Sequence, residues 1–187
     1  MSFRFPHKIF EKQTALFADF QDFEQKIQAL AQQINLDLNQ YEIDHLSLRV
    51  NTEQTANAWL TRLLAYGSVL SDNLINGRVI YLIQLHEPLR LAQQEVDVVE
   101  LPFPKDKHYP QETWEHIEVV GPFLPNETAA EWLARIKNTF LWNQPERFKV
   151  KTSEPKGCGE TLLNLSVAVS FVDKTQNPTC IKFHPYS

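Results

Sequence analysis

Two histidines stand at matching places in two similar stretches of the sequence. The stretches are Ile43–Val50 (IDHLSLRV) and Trp114–Val120 (WEHIEVV), and in each an acidic residue precedes the histidine and alternating aliphatic residues follow it. Histidine binds metals and moves protons near neutral pH, but a histidine in a strand is also commonly a hydrogen-bonded structural residue. The repetition favours a shared role for His45 and His116.

Each stretch alternates as a half-buried strand does. His45 and Arg49 fall on one face of the first strand, opposite a face of leucines. Arg49 could bind an anionic group there, or it could be an ordinary surface or ion-paired arginine. Glu118 shares the face of His116 in the second strand. It is a candidate proton acceptor if it is desolvated, and otherwise a solvated strand glutamate.

The elements that must position these residues follow one order twice. Amphipathic spacing predicts helices at residues 10–38, 52–65 and 127–140, with Asn51 and Asn126 as the caps of the last two. Alternation predicts extended segments at 41–50, 68–74, 78–84, 96–102, 114–120, 147–152, 161–172 and 179–184. Asn76-Gly77 predicts a hairpin turn, and a connector containing Pro88 is expected to follow residue 84.

The order strand, helix, strand, strand, strand therefore occurs twice. We predict an α+β protein in which residues 1–40 form an N-terminal helical segment packed on the core. Residues 41–104 form a first βαβββ module, and residues 105–187 form a second. The apolar stripe of the N-terminal helix could instead serve a partner chain or a membrane, although docking on the chain's own core is the favoured interpretation.

The repeated strands and the matching module ends resemble the vicinal-oxygen-chelate superfamily, which includes glyoxalases, bleomycin-resistance proteins and dioxygenases. This resemblance covers roughly residues 41–187. Over the whole chain the sequence is similar to YecM-type bacterial proteins. The strings that carry the closer resemblance are Asp44–Arg49 (DHLSLR), Val99–Pro104 (VELPFP) and Lys182–Pro185 (KFHP). The resemblance implies that the two modules form a curved mixed sheet around a central cavity.

In that superfamily the metal ligands come from the first and last strands of each module. Carried over to this chain, the resemblance implies His45, Glu100 and His116 as ligands of a divalent metal. Two imidazoles and a carboxylate suit Fe, Mn, Ni or Zn. The fourth position falls on Lys182, and a protonated lysine has no lone pair to offer a metal. His184, two residues further on, lies on the same face and could reach the site instead.

Lys182 leaves two functional alternatives open. A three-ligand metal site with open positions would suit an isomerase, a lyase or a dioxygenase acting on a small oxygen-rich substrate, with Glu118 as a catalytic residue. Arg49 and Lys182 would then bind the substrate. Alternatively, Lys182 pairs with Glu100 in place of the metal. The same cavity would then belong to a non-catalytic small-molecule binding protein.

Composition argues against other classes of protein. Apolar residues make up 43% of the 187 residues and charged residues 22%, as in ordinary soluble globular proteins. A net charge of −5 without a basic cluster argues against nucleic acid and anionic membranes as partners. The N-terminus does not resemble a signal peptide, so we expect a cytoplasmic protein. Cys180 is expected to be buried, whereas Cys158 is expected in an exposed turn where a reactive thiol is conceivable.

Overall fold

The computed structural model describes residues 4–154 and 165–186, in which there are three α-helices and eight strands. In chain order they are α1 (Thr14–Gln33), β1 (Glu42–Leu48), α2 (Glu53–Ala65), β2 (Gly67–Ile75), β3 (Arg78–Leu91), β4 (Gln94–Pro102), β5 (Trp114–Val120), α3 (Ala129–Thr139), β6 (Phe148–Ser153), β7 (Ser166–Phe171) and β8 (Cys180–His184). The βαβββ order occurs twice after α1, which confirms the predicted α+β fold.

Two compact units make up the chain. The first comprises Met1–Glu24 and His45–Glu115, and the second comprises Gln25–Asp44 and His116–Ser187. The first half of helix α1 belongs to the first unit, and its second half belongs to the second unit. None of the helices within residues 4–154 and 165–186 is both long enough and apolar enough to cross a membrane.

The strands of the first unit follow the order β2-β3-β4-β1. β1 runs parallel to β4 with Ser47 opposite Glu100, and the β4–β3 and β3–β2 pairs are antiparallel. Asn76 and Gly77 join β2 to β3 with φ angles of 51° and 79°, the positive values that a tight hairpin requires, so the predicted turn is confirmed. One parallel pair and two antiparallel pairs make this a mixed sheet.

β3 is longer than predicted. The strand continues from Arg78 to Leu91, whereas the sequence suggested an end at Gln84 and a connector containing Pro88. The pairing with β4 shifts between Gln84 and Leu89. A proline has no backbone N–H to give to a ladder, and such an irregularity accommodates it within a strand.

One face of the first unit's sheet is a solid hydrophobic core. Fully buried side chains on this face alternate along β1, β3 and β4, and they are Leu46, Leu48, Ile83, Val99 and Leu101. Helix α2 contributes Trp59, whose ring meets Trp114 edge to face at a centroid distance of 5.5 Å. Burial of each large side chain stabilises the fold by roughly 1.5–3 kcal/mol. Side chains along a strand alternate between the two faces of the sheet, so the residues between these core residues point to the other face.

The second unit repeats this arrangement in the order β5-β8-β7-β6. β5 is parallel to β8 with Glu118 opposite Lys182, and the other pairs are antiparallel. The fully buried aliphatic and aromatic side chains of its strands include Ile117, Val119, Val167, Val169, Ile181 and Phe183. Trp132 of α3 is also fully buried, and its indole N–H donates to the Gly121 carbonyl at 2.6 Å.

Both predicted helix caps are wrong by one or two residues. Thr52 caps α2 and Thr128 caps α3, each through its side-chain oxygen. Asn51 instead donates to the Tyr109 carbonyl at 2.8 Å and accepts from the Tyr109 N–H at 2.7 Å. Asn126 lies in a turn with a φ of 64°. A threonine one residue after Asn51 and two residues after Asn126 competes for the cap. The hydrogen bonds to Tyr109 hold Asn51 away from the cap position.

The two cysteines have different outcomes. Cys180 is half-buried rather than fully buried, because it lies on the face of β8 opposite Ile181 and away from the core. Cys158 lies outside the described residues.

Candidate functional site

A polar cluster occupies the second face of the first unit's sheet, and we call it the first cluster. It consists of His45, Ser47, Arg49, Glu100 and Glu115. The Nε2 atom of His45 lies 3.5 Å from Oε2 of Glu100. The Ser47 hydroxyl donates to the other carboxylate oxygen, Oε1, at 2.8 Å. The carboxylate is therefore held by its neighbour on β1 with one oxygen turned toward the imidazole.

Arg49 is an ion-paired residue of this cluster. Its guanidinium lies 3.6 Å from Oε1 of Glu100 and 3.2 Å from Oε2 of Glu115, and it donates to the Ser47 hydroxyl at 2.9 Å. Only 15% of the side chain is exposed. The ion-paired alternative for Arg49 is thus confirmed, and its role in binding a substrate stays a prediction.

A corresponding group in the second unit, the second cluster, consists of Asp44, His116, Glu118, Lys182 and His184. Oε1 of Glu118 lies 3.1 Å from Nζ of Lys182 and 3.6 Å from Nε2 of His116. Nε2 of His184 lies 3.7 Å from Oε2 of Glu118 and 3.6 Å from Oδ2 of Asp44. Glu118 is only 7% exposed, so the alternative of a solvated strand glutamate is wrong.

Each cluster combines two carboxylates with one cationic side chain. In the first, Arg49 lies between Glu100 and Glu115. In the second, Lys182 pairs with Glu118, and Asp44 lies beside His184. Charges in a half-buried environment are costly unless they are paired and hydrogen-bonded. Ion pairs therefore contribute to holding the carboxylates of each cluster in place.

The donor set fits a divalent metal. Imidazole nitrogen and carboxylate oxygen bind Zn(II), Fe(II), Mn(II) and Ni(II), at about 2.0–2.2 Å for Zn(II). Two donors on one such ion lie about 3 Å apart, and His45 and Glu100 are 3.5 Å apart, so a small side-chain movement is sufficient. The hydroxyl of Ser47 on the other oxygen of Glu100 is the kind of contact that orients a metal-binding carboxylate.

The structure brings most of the predicted site residues into these two groups. His45, Glu100 and Arg49 come together in the first cluster. His116, Glu118, Lys182 and His184 come together in the second, where His184 lies beside Asp44 and Glu118. A part for His184 in a metal site stays a prediction. Three members received no role from the sequence: Ser47, Asp44 and Glu115. Ser47 lies on the same face of β1 as His45, so strand alternation could have indicated it. Asp44 and Glu115 each precede a histidine and were visible in the sequence as a repeat, but the residues that they contact could not be foreseen.

Hydrogen bonds hold the connector that follows β4 beside the first cluster. The N–H of Asn51 donates to the Glu112 carboxylate at 2.8 Å, and this hydrogen bond holds the pKa of Glu112 below its ordinary value of 4.5. Together with the paired bonds between Asn51 and Tyr109, it fixes the connector to the end of β1. The Arg49 guanidinium lies 5.8 Å from the centre of the Tyr109 ring, so the connector covers one side of that arginine.

Comparison with known proteins identifies the family. The model of the family described as YecM protein matches residues 12–187 of this chain. The chain belongs to the YecM family. Protein YecM of Escherichia coli K12 is 40% identical over 170 residues, which are 91% of this chain and 87% of that protein. An uncharacterized protein of Haemophilus influenzae is 57% identical over 177 residues, 95% of this chain and 92% of that protein.

A solved structure has a similar fold over the whole chain. The structural-genomics protein EC4020 matches with a TM-score of 0.77 and 32% sequence identity, covering 100% of this chain and 95% of that one. Family membership confirms the YecM-type resemblance found in the strings DHLSLR, VELPFP and KFHP.

Proposed function

We propose that this protein binds a divalent metal and, through it, a small oxygen-rich molecule. One observation carries the proposal. In each unit a buried histidine faces a carboxylate, at 3.5 Å in the first and 3.6 Å in the second. The proposed ligands are His45, Glu100 and His116.

The bound metal would act as a Lewis acid on an oxygen atom of the substrate. Around it, Ser47 and Arg49 hold Glu100 in place. Glu118 is the proposed proton acceptor, and Arg49 and Lys182 are the proposed contacts to the substrate. An acid–base residue next to a polarised carbon would suit an isomerase or a lyase, and a redox-active metal would suit a dioxygenase. We place this activity in the cytoplasm.

Metal titration tests the proposal. Purified protein is stripped of metal and titrated with Mn(II), Fe(II), Ni(II) and Zn(II) by calorimetry, alongside His45→Ala and Glu100→Gln. Loss of a ligand is expected to weaken binding by more than the 10- to 100-fold that is typical of residues one step removed from a metal. Glu115→Gln is the matched control, since Glu115 also pairs with Arg49 but the proposal gives it no metal contact. Wild-type protein that binds none of the four metals would contradict the proposal.

A non-catalytic binding protein is the second candidate function. It is favoured by the ion pair of Lys182 with Glu118, because an ammonium at a position where the superfamily places a ligand can replace part of a metal's charge. A thermal-shift screen of small acids, sugars and aromatic compounds separates the two functions. Stabilisation that is equal with and without metal would favour the binding protein, and stabilisation that requires metal would exclude it.

A further inference from the structure

A strip of apolar side chains lies beside the first cluster. Strand register shows this directly, because residues paired across neighbouring strands share one face of a sheet. Glu100 of β4 is opposite Leu82 of β3, and Ile80 and Val98 lie on the same face by alternation. All three apolar residues are half-buried. The side chains of alternate parity on these two strands, Ile83 and Val99, are fully buried in the core.

Half-burial leaves part of each of these aliphatic side chains exposed, unlike the fully buried Ile83. The first part of β3 is half-buried on both faces, and Ile80 and Leu82 are its aliphatic residues on the face of Glu100. Polar neighbours of the three residues include Glu100 and Ser71, which are paired with Leu82, and Gln84, which is paired with Val98. Adjacent strands are about 4.8 Å apart, so Leu82 lies one strand spacing from Glu100. Ile80 and Leu82, two residues apart, extend over about 6.7 Å along the strand.

We propose that the strip formed by Ile80, Leu82 and Val98 binds the hydrocarbon tail of the small molecule whose oxygen atoms bind at the first cluster. This inference rests on the proposed function and specifies its substrate class. The ligand is a chelating acid with an unbranched apolar tail of several carbon atoms, as in the longer 2-oxo acids. Short acids that bear only the chelating head would bind more weakly.

The size of the strip argues against a protein partner. A specific protein interface buries about 800 Å² on each side, which takes some 20–30 residues. Three half-buried side chains next to a polar cluster offer far less than this and match the mixed apolar and polar lining of a small-molecule site.

A chain-length series tests the inference. Protein loaded with Mn(II) is titrated with pyruvate, 2-oxopentanoate, 2-oxohexanoate and 2-oxooctanoate by calorimetry. Each methylene that is buried on the strip is expected to raise the affinity roughly three- to fourfold, until the tail is longer than the strip. Affinity that is the same for all four acids would overturn the inference.

Substitutions then locate the tail. Leu82→Ser is expected to abolish the dependence on chain length while leaving the affinity for pyruvate unchanged, and Ile80→Ser is a second variant in case the first does not fold. Leu74→Ser is the matched control, because Leu74 pairs with Val79 and therefore lies on the opposite face of the same hairpin. Equal effects of Leu82→Ser and Leu74→Ser would overturn the inference, as would a change of oligomeric state in Leu82→Ser.

The affinity for Mn(II) alone, measured in the same samples without acid, separates this inference from the proposed function. If Mn(II) does not bind, the series is run with whichever of Fe(II), Ni(II) and Zn(II) does, and wild-type protein that binds none of the four metals contradicts the proposed function. The acid series repeated without metal then still tests the strip, since affinity rising with tail length supports it and constant affinity overturns it. Normal Mn(II) binding with no dependence on tail length overturns the inference alone.

Discussion

The two units build similar clusters from different strands. In the first unit the histidine of β1 faces a carboxylate on β4, Glu100. In the second unit the histidine of β5 faces a carboxylate on β5 itself, Glu118, and Lys182 occupies the place on β8 that corresponds to Glu100. Corresponding rows across the four strands read Ser47, Glu100, Leu82 and Ser71 in the first unit and Glu118, Lys182, Ala168 and Lys151 in the second.

This difference teaches that a duplicated fold can place the carboxylate that faces its histidine on either of two neighbouring strands. Paired residues on adjacent strands have Cβ atoms about 5 Å apart, so a histidine near both can reach a carboxylate on either strand. Each cluster keeps one histidine facing one carboxylate and one cation at that carboxylate. The rows differ further out, where the first unit has Leu82 and Ser71 and the second has Ala168 and Lys151.

Making the second unit more like the first is expected to have the largest effect. Lys182→Glu places a carboxylate where Glu100 stands in the first unit and removes the ammonium from Glu118. The metal-free variant should be less stable, by on the order of 1–3 kcal/mol, because Glu118 loses its partner and gains a like charge. Its affinity for Mn(II) should rise at least about tenfold, which adds about 1.4 kcal/mol of stabilisation at saturating metal. Calorimetry and denaturant unfolding measure both.

Lys182→Met is the control for that substitution, since it removes the ammonium without adding a donor. If both variants gain the same affinity for Mn(II), the effect comes from the loss of the positive charge. Unchanged affinity in both would argue against a metal near β8.

Substitution of Ser47 tests whether its hydrogen bond orients the Glu100 carboxylate for metal binding. Ser47→Ala deletes the hydroxyl that binds Oε1 of Glu100, and metal affinity should fall about 10-fold, within the range for such orienting groups. Ser170→Ala, a buried serine on β7 of the second unit, should leave metal affinity unchanged. Metal titration of both variants checks the difference, and equal losses would refute a special role for Ser47.

The tryptophans on α2 and α3 offer a comparison of stability. Trp132→Phe leaves the buried Gly121 carbonyl without its indole donor, so it should cost about 1–2 kcal/mol more than the loss of ring volume alone. Trp59→Phe, in the first unit, keeps a ring against Trp114 and should cost less. Urea unfolding of both variants measures the difference. A larger loss for Trp59→Phe would contradict this account.

The smallest expected effect depends on pH and concerns the connector in the first unit. The pKa of Glu112 is lowered by the N–H of Asn51, so its ionised form stabilises the fold above pH 4.5 and this contribution is lost as pH falls through the lowered pKa. Glu112→Gln should therefore cost less than about 1 kcal/mol at pH 7, and the difference from wild type should shrink as the pH falls below 4.5. Unfolding measured over a series of pH values from 7 downward tests this, and a difference that does not depend on pH would disprove it.

Much of the site was predictable from strand alternation and internal repetition. The period of two along β1 and β5 placed His45 and His116 away from the core, because side chains on a strand alternate between faces. The repeat also aligned Lys182 with Glu100, and the strand registers are in fact equivalent, with Ser47 opposite Glu100 and Glu118 opposite Lys182. The repeated order of predicted strands and helices indicated the α+β class, and the strings DHLSLR, VELPFP and KFHP indicated the YecM family.

Other features depended on contacts between residues far apart in the chain. The sequence alone determined the order of elements and the face on which each candidate side chain lies, since both follow from local periodicity. Only the tertiary structure decided that Lys182 pairs with Glu118, that Glu118 is buried and that Arg49 joins Glu100 to Glu115. These contacts depend on which strands become neighbours and on what covers them, and alternation within a single strand contains no information about either.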